Sequence, residues 1–210
     1  MVTRVRLKSL TNPRVDSTRY DEVWCAAETF LRARKNDIHV PLSYHWCLRL
    51  LEHYPEADVD VCILAIILHD IGWFAIDMDR IIEEGFRSEN MLQTDVRYLH
   101  ETEGVRMARP ILAQTGFGHL SDQVCEIIDG HDTRRTAHHL NDRIVRDADK
   151  LWRFEPAAVG IVTDWMGMTP TAFCHRLRYI VLEQLETKAA RNLAEPELER
   201  TCARLMVHVI

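Results

Sequence analysis

The chain has 210 residues, 26 of them Lys or Arg and 32 Asp or Glu, giving a formal charge of −6. With 47% apolar and 28% charged residues it has the profile of a globular chain with a sizeable core. A net acidic chain lacks the basic face that nucleic-acid phosphates require, and the longest apolar run falls short of a membrane span.

The first fourteen residues, MVTRVRLKSLTNPR, hold four basic residues and no acid, an arm for a partner or simply a solvated end. They also lack the apolar stretch of a signal peptide. Cys25, Cys47, Cys62, Cys125, Cys174 and Cys202 lie singly, with no CxxC pair, which reads as reduced core thiols in a cytoplasmic protein. No repeat, low-complexity tract or linker interrupts the chain, and segment after segment shows helical rather than alternating spacing. A first helix starts near Asp16–Thr18 and carries Val23, Trp24, Ala27, Phe30 and Leu31 on one side. A second runs over 43–54, opened by Ser43, and a third over 58–70, ended by Gly72. A short helix around 77–84 is closed by Gly85. A longer one spans 94–116, where Pro110 should kink or divide it. Helices over 121–131 and 141–154 begin at Ser121 and Asn141. Thr169-Pro170 opens one to about 188, and Glu195-Pro196 a last one to about 208. The expectation is an all-α fold.

The stretch VCILAIILHDIGW, residues 61–73, poses the functional question. An apolar helix fit only for a core ends on His69 and Asp70. A metal ion beyond the helix end accounts for the pair, because imidazole nitrogen and carboxylate oxygen both bind it and the cation offsets the burial of the carboxylate. Further donors sit on expected helices next to apolar positions: His45, His100, His131 and Asp149. The spacings are 24 residues from His45 to His69, 30 from Asp70 to His100, 31 to His131 and 18 to Asp149. Such spacings suit one ligand per helix of an antiparallel bundle. His53, His119 and His208 read as surface residues, and His138-His139 as part of a polar loop. Asp132 and Asp147 read as helix-end carboxylates or as groups that orient a ligand imidazole.

With the closing motif DADKL, this ordered set resembles the HD-domain superfamily of metal-dependent phosphohydrolases, over roughly residues 40–155. The resemblance implies an HD-type helical bundle occupying residues 1–210 as a single domain, with flanking helices over about 18–34 and 156–208. It implies metal ligands at His45, His69, Asp70 and Asp149. In dinuclear branches His100 and His131 join them, and Asp70 bridges two ions. One or two divalent ions per chain are expected, and the His/Asp donor set suits Mn, Mg, Fe, Co or Ni. Asp70 belongs to the reaction centre. Lys150, directly after Asp149, is placed to steady a phosphate, with Arg134, Arg135 and Arg146 nearby in sequence. His100 with Glu101 resembles a proton-transfer pair of nucleotide-cleaving relatives.

The implied reaction is hydrolysis of a small phosphorylated metabolite or nucleotide, with no nucleic-acid or membrane partner and a possible homodimer. One departure stands out. After His69-Asp70 come Ile71, Gly72, Trp73, Phe74 and Ala75, with no acid before Asp77, which suggests a more apolar mouth. The rival class is the mixed-valent diiron oxygenase branch, which shares the six-ligand set and cleaves C–C or C–P bonds. Against it, RARKNDIHVP shows no Tyr and Glu lid pair.

Overall fold

Eight consecutive apolar residues, Val61 to Leu68, are completely shielded from solvent. A helix apolar on every side needs neighbours on every side, and this one sets the centre of the molecule. A computed structural model describes residues 12–88 and 94–206. Its helices are α1 (Asp21–Ala27), α2 (Asn36–Leu51), α3 (Val59–Leu68), α4 (Met78–Arg80), α5 (Asp95–Gln114), α6 (Ser121–Ile128), α7 (Leu140–Leu151), α8 (Pro156–Met166), α9 (Pro170–Arg176) and α10 (Lys188–Arg204). No strand occurs among the described residues, so the fold is all-α, as the spacing of apolar residues indicated. None of these helices is long and apolar enough by itself to cross a membrane.

The central helix α3 starts where the Asp58 carboxylate accepts from Val61 N (3.0 Å), and it packs against α1, α2, α6 and α7. Helices α2 and α7 also pack against each other, and α5 lies along the turn Ile71–Ala75 that follows α3. Gly72 makes that last contact possible. A Cβ on Gly72 would stand 1.9 Å from the backbone oxygen of His100 and 2.4 Å from Gly104 N. The turn after α3 therefore touches the backbone of α5 directly, which no larger residue permits.

Several helix ends differ from the sequence expectation. Helix α2 begins at Asn36, seven residues before Ser43, and continues through Pro41. Its entry is formed by Arg34 and Lys35, both left-handed (φ 51° and 57°). Such backbone costs about 1–2 kcal/mol per non-glycine residue, sustained here by the packing around Arg34. Helix α5 runs through Pro110 undivided, and α7 is capped by His139 rather than Asn141. The side chain of Asn141 instead accepts from Asp58 N (3.0 Å), tying the starts of α3 and α7 together. Helix α8 lies within the flanking helical region expected over 156–208, although no separate helix was placed there, and α10 starts from the Thr187 cap and passes through Pro196. Pro196 therefore does not open the last helix; the Thr187 hydroxyl, which accepts from Ala190 N, does.

The C-terminal helices are fastened to the centre. Both oxygens of Asp147 accept backbone N–H groups, from Glu186 (2.8 Å) and Thr187 (2.7 Å), and Thr201 Oγ1 donates to Phe154 O (2.6 Å). Asp147 is thus an anchor, not a group that orients an imidazole. All six cysteines are free thiols, and all but Cys25 are buried. Most of the basic N-terminal arm, and His208, lie outside the described residues; Arg14 donates to the carbonyls of Leu51, Tyr54 and Pro55.

Candidate metal centre

Where α3 runs out, the ring of His69 is fixed by its Nδ1, 2.9 Å from Ile66 O. A carbonyl only accepts, so Nδ1 carries the proton and Nε2 presents a lone pair. The ring of His131 is held the same way, with Nδ1 2.9 Å from Ile128 O. Opposite His69 stands His39, from the first turn of α2, and opposite His131 stands His100, from α5. The Nε2 atoms are 2.9 Å apart in the first pair and 3.4 Å in the second, and all four rings are buried. Facing nitrogen lone pairs at these distances repel unless a cation or a proton lies between them. That is the donor set a divalent metal requires.

Two carboxylates complete the arrangement. Asp70 stands between the two histidine pairs. Its Oδ2 is 3.2 Å from His39 Nε2 and 3.7 Å from His69 Nε2, while Oδ1 is 3.5 Å from His131 Nε2 and 3.7 Å from His100 Nε2. Asp149, from α7, places Oδ1 3.2 Å from His39 Nε2 and 3.5 Å from His69 Nε2. Ligand atoms of His39, His69 and Asp149 lie within 4.8 Å of one another, as do those of His69, Asp70 and His131. Asp70 is oriented by Trp73, whose indole N–H donates to Oδ1 (2.9 Å), and by Arg34, which donates to Oδ2 (3.1 Å). The Arg34 guanidinium lies 4.7 Å from the ring centre of Trp73 and 5.1 Å from that of Trp165. Trp73 also stacks on His100, 4.0 Å between ring centres.

The charges follow from this packing. Burial opposes ionisation of Asp70, but Arg34 and His69 outweigh it and hold the carboxyl well below the usual range. Asp149 is likewise held low against burial, by Arg153 and the hydrogen bonds of His39 and His69. Burial, with His131 beside it, pushes His100 down to about 3. His131 moves the other way, to about 10, because Asp70, Asp132 and Glu101 outweigh its own burial.

Of the residues singled out from sequence, His69, Asp70, His100, His131 and Asp149 come together. His45 does not. It sits six residues beyond His39 on α2, which rotates it by roughly 120° and moves it about 9 Å along the axis. There its ring lies 5.4 Å from that of Trp46, near Arg49 and Glu197 of α10. The position belongs to His39. A helical wheel carried the distinction: His39, Ser43, Trp46 and Leu50 form a buried ladder, whereas His45 shares its face with Arg49 and Glu52. Glu101 is also not free for proton transfer. Its Oε1 accepts from Asp132 N (2.8 Å) and Thr133 N (3.0 Å), and Oε2 accepts from Thr133 Oγ1 (2.5 Å), so it holds the turn that carries His131. The acid beside the centre is Asp132, with Oδ2 3.9 Å from His100 Nε2. Lys150 donates to Arg146 O (3.2 Å) and reaches the cavity above the centre.

That cavity, about 740 Å³, is cationic rather than apolar. Eight of its lining residues are Arg or Lys and three are acidic. Arg34, Arg97, Arg134, Arg146, Lys150 and Arg153 are among the cations, while Trp73, His131 and Asp132 bring it to the metal ligands. The apolar stretch after Asp70 does not form the mouth as expected. Trp73 alone of those residues lines the cavity, and Phe74 turns away to pack on Phe30, 5.3 Å between ring centres. Arg34 and Trp73 went unrecognised in the sequence because nothing local marks them. They become functional neighbours through the left-handed turn before α2 and the close approach of Gly72.

An all-α bundle whose interior gathers histidines and aspartates from α2, α3, α5, α7 and the turn after α6 is a metal-binding helical domain. The family model of the HD domain matches residues 37–153, more than half of the chain. The chain belongs to the HD domain family, whose members are in general metal-dependent hydrolases. No curated protein and no solved structure matches the chain.

Proposed function

We propose that this chain is a metal-dependent phosphohydrolase acting on a small phosphorylated metabolite or nucleotide, through a two-ion centre. The observation that carries the proposal is Asp70, whose two oxygens face two separate histidine pairs at the floor of a cationic cavity. His39, His69, Asp149 and Asp70 Oδ2 would hold one ion. His100, His131 and Asp70 Oδ1 would hold the other. Divalent ions so placed polarise a phosphoryl group and lower the pKa of water.

The remaining work falls to the chain itself. Arg34 keeps Asp70 ionised, and Arg34 and Trp73 each hold one of its oxygens by a hydrogen bond. Glu101 holds the turn of His131 and Asp132 in place. Asp132, kept ionised against burial by His131 and Arg97, is the base within reach of a water at the centre. Lys150 and Arg153, the latter 3.5 Å from Asp149 Oδ2, put positive charge where phosphate oxygens arrive.

The test is metal analysis of the purified chain together with phosphate release from a panel of phosphate esters in Mn, Mg, Fe, Co or Ni. Metal-dependent phosphate release that disappears in Asp70→Ala, along with the bound metal, is the expected result. Two irons per chain with oxygen consumption and no phosphate release would instead identify the diiron oxygenase chemistry.

A further inference from the structure

Part of the cavity's positive charge has no role at the metal centre. Arg146, on α7, is buried, with 6% of its surface exposed. Its Nη2 donates to Arg134 O (2.8 Å), and its Nε faces Glu186 Oε1 at 3.3 Å, off the hydrogen-bonding direction. Its Nη1 is buried without a hydrogen-bond partner, yet the residue lines the cavity. A guanidinium donor removed from water and left unmet is costly, and an acceptor supplied by a ligand removes that cost. Arg146 lies one turn before Asp149, about 4.5 Å along the helix axis, and the partners of its guanidinium are Arg134 O and Glu186 rather than a metal ligand.

A second wall adds Arg176, from α9. This half-buried residue has no acidic partner among the described residues, and burial together with the neighbouring Arg153 lowers its pKa. Arg153 itself is engaged at Asp149. Arg176 also lies outside the residues matched by the family, so this wall belongs to the chain's own C-terminal helices. The cavity, at about 740 Å³, is of the size that encloses a whole small metabolite.

We propose that Arg146 and Arg176 form a second anion subsite in this cavity. The substrate is then a small molecule with two anionic groups, one at the His/Asp cluster and the other, a phosphate or carboxylate, at these guanidiniums. This rests on the metal-centred reading above for the first group.

Calorimetric titration of the metal-loaded full chain tests it, with methylphosphonate as the one-headed probe. Ethylene-1,2-diphosphonate and 3-phosphonopropionate serve as two-headed probes. At least one two-headed probe should bind about tenfold more tightly than methylphosphonate or better, the gain of one charge-assisted contact. Which of the two gains more tells phosphate from carboxylate. Arg146→Gln and Arg176→Gln should each cut that advantage to within about threefold while methylphosphonate binding stays unchanged. Equal binding of one-headed and two-headed probes by the unaltered chain overturns the proposal. So does an advantage that survives Arg176→Gln, a half-exposed position that decides the matter if Arg146→Gln does not fold. The two readings fail separately. A two-headed preference in a chain that binds no metal would sink the metal reading and leave the subsite standing. Metal-dependent methylphosphonate binding with no two-headed gain would do the reverse.

Discussion

Replacing Gly72 by alanine adds one methyl group at the point where the turn after His69-Asp70 meets the backbone of α5. The new Cβ would lie 1.9 Å from His100 O, where real contacts are essentially never below 3.0 Å, so the two segments must separate by about 1.1 Å. The atoms in the way are backbone, which no side-chain rotation can relieve. Overpacking of this kind costs about 3 kcal/mol, near the top of the usual range. For a chain of this length that is a fall in Tm of roughly 6–12 °C. The functional consequence is larger. Metal ligands must keep their distances to about 0.2 Å, and the shift moves His100 against Asp70 by several times that amount. Calorimetry of the metal-free variant gives the stability, and metal analysis after loading gives the occupancy; a clear drop in both is expected. Gly104→Ala is the control, since its Cβ meets Ile128 Cγ2 at 3.1 Å, a side-chain methyl that can give way. A Gly72→Ala chain with ordinary Tm and full metal content would refute the claim that this contact sets the spacing of the centre.

Three further outcomes are expected. His39→Ala should lower metal affinity by at least about 100-fold, while His45→Ala leaves it unchanged; dialysis against a graded chelator followed by metal analysis distinguishes the two. Asp132→Asn should reduce kcat by about 10²–10⁴ with metal content intact, and an unaltered rate in steady-state assays would remove Asp132 from proton transfer. Asp147→Asn leaves an N–H of Glu186 or Thr187 without its acceptor, costing about 1–3 kcal/mol, or roughly 2–12 °C in Tm. Limited proteolysis of that variant should then cut first among residues 156–186.

The parts of the centre legible in the sequence are those in which chemistry conflicts with its surroundings. His69 and Asp70 ending a fully buried helix, His100 within the buried ladder of α5, and Asp149 next to Ala148 are polar groups where apolar ones belong. Only a shared partner accounts for them together. His45 was misleading because α2 presents two histidines six residues apart, and starting the helix at Ser43 excluded the correct one. The start at Asn36 follows from the left-handed Arg34-Lys35 turn and the packing of Arg34 on Trp73 and Trp165, contacts made across the fold. Proline placed some ends and not others: Pro170, behind the Thr169 cap, opens α9 as expected, and Pro156 opens α8. Pro41, Pro110 and Pro196 all lie inside helices, where tertiary packing outweighs the loss of one hydrogen bond.

By itself the sequence determined an all-helical chain and the types of donor at its metal centre, because helical periodicity and buried charge are local properties of the residues. It could not determine which helix faces meet, and that choice seats His39 rather than His45 opposite His69. Nor could it show that Arg34, Arg146 and Arg176, from three separate parts of the chain, line one cavity. Charge gathered from distant segments exists only once the backbone has closed around it.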